Sequence, residues 1–503
     1  MKNTSYWLDT TDAEQFPAFS GQRKCDVAVV GAGLTGITTA LLLAKEGVDV
    51  VVLEADKAGT GTSGHTTAKI TVQHALKYQD LAKDKAWAYA RANSMGKALI
   101  AANINRYGIS CDYAKVPAYV YTHDENQIKK IENEMIAYEE IGLKGQIVVE
   151  TGLPFQIKSA LMMEDQAQFH PLKYLYALID VLKDTGCRIY EHSKVIDIGR
   201  EEACVIQTEN GTLRSDVVVL ATNYPLIDIP GLFFIRLHQD RSYIISTNAK
   251  SVDIKGMYIT AEQPVNSIRM HYTDKETLLL LGGYGHKTAK ENDEKTSYSC
   301  LKDFLHTDFK DADASPTYGW SAQDCVTLDS MPYIGEVTNE TPRVYIATGF
   351  EKWGMTNSAA AAMMIADEIT GTRMMDVDVT KAFSPKRVAP GASAKNFFVQ
   401  TGDVLKAFTA GNAGIPLGDY DDIEPGKGAV LRVSGQAQAI YKNKEGNVTA
   451  YKAHCTHMKC PLEYNEAENS FDCPCHGSRF SIDGKVLEGP AKKSLIRITE
   501  EED

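Results

Sequence analysis

The chain has 503 residues, room for about three average domains, and its 44% apolar and 24% charged residues give the balance of a packed rather than a disordered protein. A formal charge of -13 argues against nucleic-acid binding, which selects basic surfaces. The opening MKNTSYWLDTTDAEQF lacks the basic, apolar, small-residue order of a secretory leader, and no apolar run reaches the roughly 18 residues that span a bilayer; a cytoplasmic protein with no transmembrane segment is expected.

In chain order, the first strong signal is CDVAVVGAGLTGITTALLLAKEGVDVVVLEAD, residues 25–56. A buried-strand run leads into Gly31-x-Gly33-x-x-Gly36 and then into a helix opened by Leu34 and Thr35. Gly31 permits a tight turn, Gly33 lets the backbone approach a pyrophosphate, and Gly36 lets the helix pack on the strand with its N–H groups facing the anion. A second strand ends in Glu54, where a carboxylate can accept ribose hydroxyls. Strand, glycines, helix, strand and acid in register predict dinucleotide binding. The following AGTGTSGHTTAKIT, residues 58–71, places Ser63, His65, Thr66, Thr67 and Lys69 as candidate cofactor contacts.

Further along, LRSDVVVLATNYP (213–225) reads as a strand ending at Ala221 and Thr222. RVYIATGFEKWGMTNSAAAAMMIADEI (343–369) reads as a strand, a Gly-rich turn containing Gly349, and a helix starting at Gly354, Met355 and Thr356. That helix N-terminus could receive an oxygen that gains charge on reduction. Arg269, or Arg241 with Tyr243, is a candidate for holding a substrate carboxylate, and Tyr284, His286, Lys352 and Trp353 are candidates for lining the pocket. LGGYGHKT (281–288) lacks the spacing of a second dinucleotide fingerprint, so a nicotinamide reductant is not expected. His306 has Asp303 three residues before it but no histidine at the right distance after it, which argues against an oxygenase iron site.

A Pro- and Ala-rich stretch (382–396) reads as a linker, followed by an amphipathic helix over 396–411 with Phe397, Val404, Leu405 and Phe408 on one face. From about 418 the pattern turns to short β segments. Near the end stand CTHMKC (455–460) and CPCHGS (473–478). Two thiolates and two imidazoles suit a structural zinc or a 2Fe-2S cluster with unequal irons. Each half supplies one Cys and one His, Cys455 with His457 and Cys473 with His476, which favours the cluster. Cys25, Cys111, Cys187, Cys204, Cys300 and Cys325 show no motif spacing and read as reduced structural thiols.

The 454–490 stretch resembles Rieske iron–sulfur domains, including the two further cysteines, the HGS and the Gly489-Pro490 loop. The resemblance implies Cys455 and Cys473 on the inner iron, His457 and His476 on the outer iron, a Cys460–Cys475 disulfide, and Ser478 donating to a bridging sulfide. It also implies partly exposed histidines. Phe480 stands where high-potential members carry a tyrosine, so a lower potential is expected. Residues 20–383 resemble the D-amino-acid oxidase and glycine oxidase family of flavoproteins, which adds Val195 to the expected cofactor contacts.

Together these imply an α/β Rossmann-like FAD-binding domain of the D-amino-acid oxidase type (1–383), with an α+β substrate subdomain (about 85–165 and 226–325). A linker (384–417) and a small all-β Rieske domain (418–503) follow. The whole resembles bacterial FAD-dependent oxidoreductases with a fused Rieske domain. The implied activity is oxidation of an amine or amino acid, with electrons passing singly through the 2Fe-2S cluster to an external protein or quinone. Alternatives are a flavin–Rieske relay for a separate oxygenase or reductase, and a redox-sensing binding protein without turnover.

Overall fold

A computed structural model of the chain describes residues 1–200, 202–226, 231–289, 294–387 and 414–498. The amphipathic helix expected over 396–411, with most of the linker, lies outside the described residues.

The strand Gly21–Val30 runs parallel to Val50–Leu53 on one side and Gly211–Leu220 on the other, and an eight-stranded sheet grows outward to Arg188–Tyr190 and to Val344–Thr348 with Tyr333–Glu336. Central parallel strands are covered on both faces, which is why VAVV and VVVL read as unbroken apolar runs. Val27, Val29, Val50 and Val52 pack against helices including Leu34–Lys45, while Ala28, Val30, Val51 and Leu53 meet the antiparallel strands Val195–Arg200 and Cys204–Thr208. The helix Gly354–Thr370 is buried along most of its length, hence its run of Ala and Met.

A second, ten-stranded sheet is built around the strand Leu237–Asn248, which pairs antiparallel with both Thr277–Lys287 and Tyr318–Thr327. Its remaining strands include Asn266–Tyr272, Ala114–Thr122 and Ser159–Gln168. The last region is all β: a three-stranded sheet (Lys427–Val433, Gln436–Lys442, Val448–Lys452) and a four-stranded one (Glu463–Asn465, Ser470–Asp472, Arg479–Ser481, Val486–Glu488). No helix among the described residues is long and apolar enough to cross a membrane.

Candidate active site

The turn after the first strand carries Gly31 at φ 105°, a conformation an L side chain rarely adopts, and a Cβ there would meet the Ala221 carbonyl oxygen at 2.6 Å. At Gly36 a Cβ would stand 1.9 Å from the Gly31 carbonyl oxygen, so the helix can approach the turn only without a side chain. Glu54 closes the same corner, accepting from the Ala32 N–H at 2.8 Å and the Asp56 N–H at 3.0 Å. Burial pushes its carboxyl up, and these N–H groups oppose the shift.

These groups edge a cavity of about 440 Å³ that runs from the glycine turn to the second sheet. Of the expected cofactor contacts, Gly31, Gly33, Leu34, Thr35, Glu54, Ser63, His65, Thr66, Thr67, Lys69, Val195, Ala221, Thr222, Gly354 and Met355 line it. Gly36 and Gly349 stand behind the wall as backbone supports, and Thr356 turns away, its hydroxyl donating to Asn93 Oδ1 at 2.7 Å. A cradle of glycines, an acid at the second strand's end and a helix N-terminus at Gly354 fit a dinucleotide with a redox-active ring. Lys69 Nζ donates to Ser267 Oγ at 2.6 Å and to the Tyr258 carbonyl at 2.8 Å. Burial, then Arg269, lowers its pKa to about 7. His65 bonds the Gly61 carbonyl through Nδ1 at 2.9 Å.

Several substrate candidates are corrected. Arg269 is fully buried and does not line the cavity. Its guanidinium donates to the carbonyls of Thr67 at 2.6 Å, Ala68 at 2.8 Å and Phe169 at 3.4 Å, so it ties backbone segments together. Arg241 is buried in an ion network described below and does not line the cavity either. Tyr284 and His286 lie within the strand Thr277–Lys287. A bulge at this point, where the pairing register shifts opposite Arg241 and Tyr243 and Tyr284 takes φ 48°, brings Gly282, Gly283 and Gly285 to the cavity and leaves Tyr284 and His286 off it. His286 Nε2 instead lies 3.0 Å from the Tyr243 hydroxyl. Lys352 and Trp353 do line the cavity.

In the last region, two loops bring Cys455 and Cys473 together as buried neighbours. The Cys473 thiol donates toward the Cys455 sulfur and lowers its pKa, with help from Ser478, while Cys473 is pushed up in turn. The rings of His457 and His476 stand 5.2 Å apart at 86°. Two buried neighbouring thiols beside two converging imidazoles fit the ligand set of a 2Fe-2S cluster. Cys460 and Cys475 form the disulfide joining the loops. Their sulfurs and that of Cys473 lie within 4.8 Å of one another; the disulfide takes two of the three, so the grouping records its place beside a ligand. Ser478 Oγ accepts from the Ala491 N–H at 3.0 Å, and Phe480 is fully buried.

The histidine edge divides: His457 keeps the partial exposure expected of it, while His476 is covered. His476 is only 7% exposed, and Phe234, from the helix Phe233–Arg236 beside the second sheet, stands 6.4 Å from the His457 ring and 6.0 Å from the His476 ring. The cluster loops sit directly on that sheet. Gln239 Nε2 donates to the carbonyls of His476 and Gly489, each at 2.9 Å, and Gln323 Nε2 donates to the Gly477 carbonyl at 2.8 Å and to Gln239 Oε1. Both glutamines line the cavity, as do Leu487, Glu488 and Gly489 from the last region. Below them Arg241 pairs with Glu468 and, at 3.3 Å, with Glu488, while Arg479 pairs with Glu468 at 2.6 Å and Asp472 at 3.1 Å. Nothing in the sequence marked Gln239, Gln323, Phe234 or Glu468. The one local signal was polar residues inside apolar strands, as in YGWSAQDCVT.

The comparisons with known proteins agree with this geometry. Residues 26–368 match the family described as FAD dependent oxidoreductase (DAO), and residues 414–499 match the Rieske [2Fe-2S] domain. The chain is 35% identical, over 98% of its length and 97% of the relative's, to a Bacillus subtilis (strain 168) protein named as a Rieske 2Fe-2S iron–sulfur protein, YhfW. It is 28% identical to the gamma-glutamylputrescine oxidoreductase of Escherichia coli (strain K12), over 69% of this chain and 84% of that one. The glycine oxidase of Geobacillus kaustophilus shares the fold at a TM-score of 0.62 and 19% identity, covering 73% of this chain and 99% of that structure. The glycine turn, the cavity and the paired Cys–His loops thus stand in a member of the FAD-dependent oxidoreductases of the DAO family, one that carries a Rieske [2Fe-2S] domain.

Proposed function

We propose that the protein is a dehydrogenase that oxidises an amine or amino acid at the carbon next to nitrogen and passes the electrons singly, by way of the Rieske domain, to an external one-electron acceptor, a protein or a quinone. The substrate carbon loses a hydride equivalent and the nitrogen a proton; the resulting imine takes up water and separates into a carbonyl compound and an amine. FAD, when bound, supplies the hydride-accepting chemistry. The chain's own residues orient the substrate, shield it from solvent and hold the two redox sites in fixed register. The observation that carries the reading is the seating of the cluster loop on the cavity wall, with Gln239 and Gln323 lining the cavity and donating to the carbonyls of His476 and Gly477. A loop fixed against the oxidising site suits transfer within one chain. The named activity of the Escherichia coli relative adds support for an amine substrate.

The test is anaerobic absorbance of the purified protein against a panel of amines, N-methyl amines and amino acids, with NADH as control. Bleaching by an amine or amino acid and not by NADH is expected. Bleaching by NADH alone would replace the reading with an electron relay for another enzyme.

A further inference from the structure

The cavity's second-sheet end carries an unusual charge arrangement. Asp324 lines the cavity, is only 8% exposed, and its carboxylate has no hydrogen-bond partner among the described residues. Burial first, and then Asp240, Glu488 and Glu351, push its pKa up to about 7, with Lys352 the one cation that opposes them. Two of these acids are neutralised elsewhere. Glu351 pairs with Lys77 at 2.6 Å, and Glu488 lies 3.3 Å from Arg241 and 3.6 Å from Arg479. Asp240 stands opposite Asp324 across the strand pair, 3.4 Å from His238. Lys352 reaches over Gly285, where its Nζ lies 2.8 Å from the place a Cβ would occupy, beside Ser242 Oγ. At this end of the cavity Asp324 thus has Lys352 as its one opposing cation, while Asp240, beside His238 on the neighbouring strand, adds negative charge; the cavity's other lysines, Lys69 and Lys194, stand with the residues expected to hold the cofactor.

No arginine lines the cavity among the described residues, and both arginines expected to clamp a carboxylate are committed to other partners. Recognition of a carboxylate next to the reacting carbon wants a bidentate cation in a positive field. A buried, unpaired carboxylate wants a cation, because a second charge of the right sign removes the penalty of burying the first.

We infer that Asp324 is the recognition group for the ammonium end of the substrate, and that the substrate class is a cationic amine with no carboxylate at the reacting carbon, not an α-amino acid. The inference rests on the reading of the cavity as an amine-oxidising site. Lys352 is then the counter-ion that tunes the field, and Asp324 a specificity-determining residue.

Isothermal titration calorimetry on the full holoprotein, kept anaerobic, tests it with 1,4-diaminobutane and N-methylbutylamine against glycine, sarcosine and alanine, while flavin absorbance is read in the same samples. The amines should bind and the amino acids should not. Asp324→Asn should weaken amine binding at least about tenfold. Lys352→Gln should tighten it several-fold, by removing a like charge. The Lys352 variant keeps the test decisive even where the Asp324 variant folds poorly, because a carboxylate site predicts the opposite sign. Tighter binding of any amino acid, loss of binding in Lys352→Gln, an unchanged Asp324→Asn, or no binding by any probe would overturn the assignment. Amine binding without bleaching would uphold the recognition and remove the oxidation reading instead.

Discussion

Asp324 illustrates what a single buried group does to both stability and function. Its carboxyl holds a proton up to about pH 7 in the folded chain, against about 4 when unfolded. Between those values the native state binds more protons than the unfolded state, so the residue lowers stability as pH rises from about 4 to about 7, and the penalty persists above. Asp324→Asn should therefore raise the melting temperature at pH 8 by about 2 °C or more and leave it unchanged near pH 4, as read by differential scanning calorimetry. Arg269 behaves in the opposite way. Removing its guanidinium orphans the carbonyls of Thr67, Ala68 and Phe169 in the interior. Arg269→Met should cost about 2–4 kcal/mol in denaturant unfolding and leave substrate affinity within about twofold. A substrate-binding arginine would show the reverse pattern. The sequence placed both Arg241 and Arg269 as clamps because a strand arginine's chemistry is visible in one dimension while its partners are not: Thr67 and Phe169 meet Arg269, and Glu468 meets Arg241, only through long-range folding.

Among the elements, the glycine turn and its helix were legible in full, since each glycine answers a local demand. Gly36→Ala places a methyl group against the Gly31 carbonyl oxygen, backbone that cannot swing aside. The variant should lose bound FAD on purification while the Rieske absorbance persists, a split that a spectrum of the isolated protein resolves. The cluster loops were equally legible, because ligand spacing is a local property. The second sheet was not. Its strands come from separate stretches of chain, and the bulge at GGYGHK, which brings Gly282, Gly283 and Gly285 to the cavity and leaves Tyr284 and His286 off it, was missed. A run containing three glycines carries no apolar alternation from which a facing could be read.

For the whole molecule, the contact between the two halves decides the behaviour, and of it the sequence showed only polar residues inside apolar strands. Two arginines and three acids meet across it, with Arg241 contributed by the second sheet and Glu468, Asp472, Arg479 and Glu488 by the Rieske region. Burial pushes Glu468 up, yet Arg241 and Arg479 outweigh it and hold the carboxyl down to about 2. Its contribution is thus complete above about pH 4 and is lost as pH falls toward 2. Glu468→Gln leaves two buried guanidiniums short of charge and should destabilise the contact by about 3 kcal/mol or more. Calorimetry at neutral pH should then resolve separate transitions for the flavin and Rieske parts where the unaltered chain shows tighter coupling.

The central claim is that oxidation in the cavity and reduction at the Rieske site are joined within one chain through the Gln239–Gln323 contact. Rapid-mixing absorbance with freeze-quench EPR, run anaerobically with an amine that bleaches the flavin band, tests it over a tenfold range of protein concentration. The account predicts that the EPR signal of the reduced cluster follows flavin bleaching with a first-order rate that does not change with protein concentration, and that slows in the Gln239→Ala, Gln323→Ala double variant without a change in the first bleaching phase. A rate that rises in proportion to protein concentration, or flavin bleaching with no cluster signal at all, would contradict it.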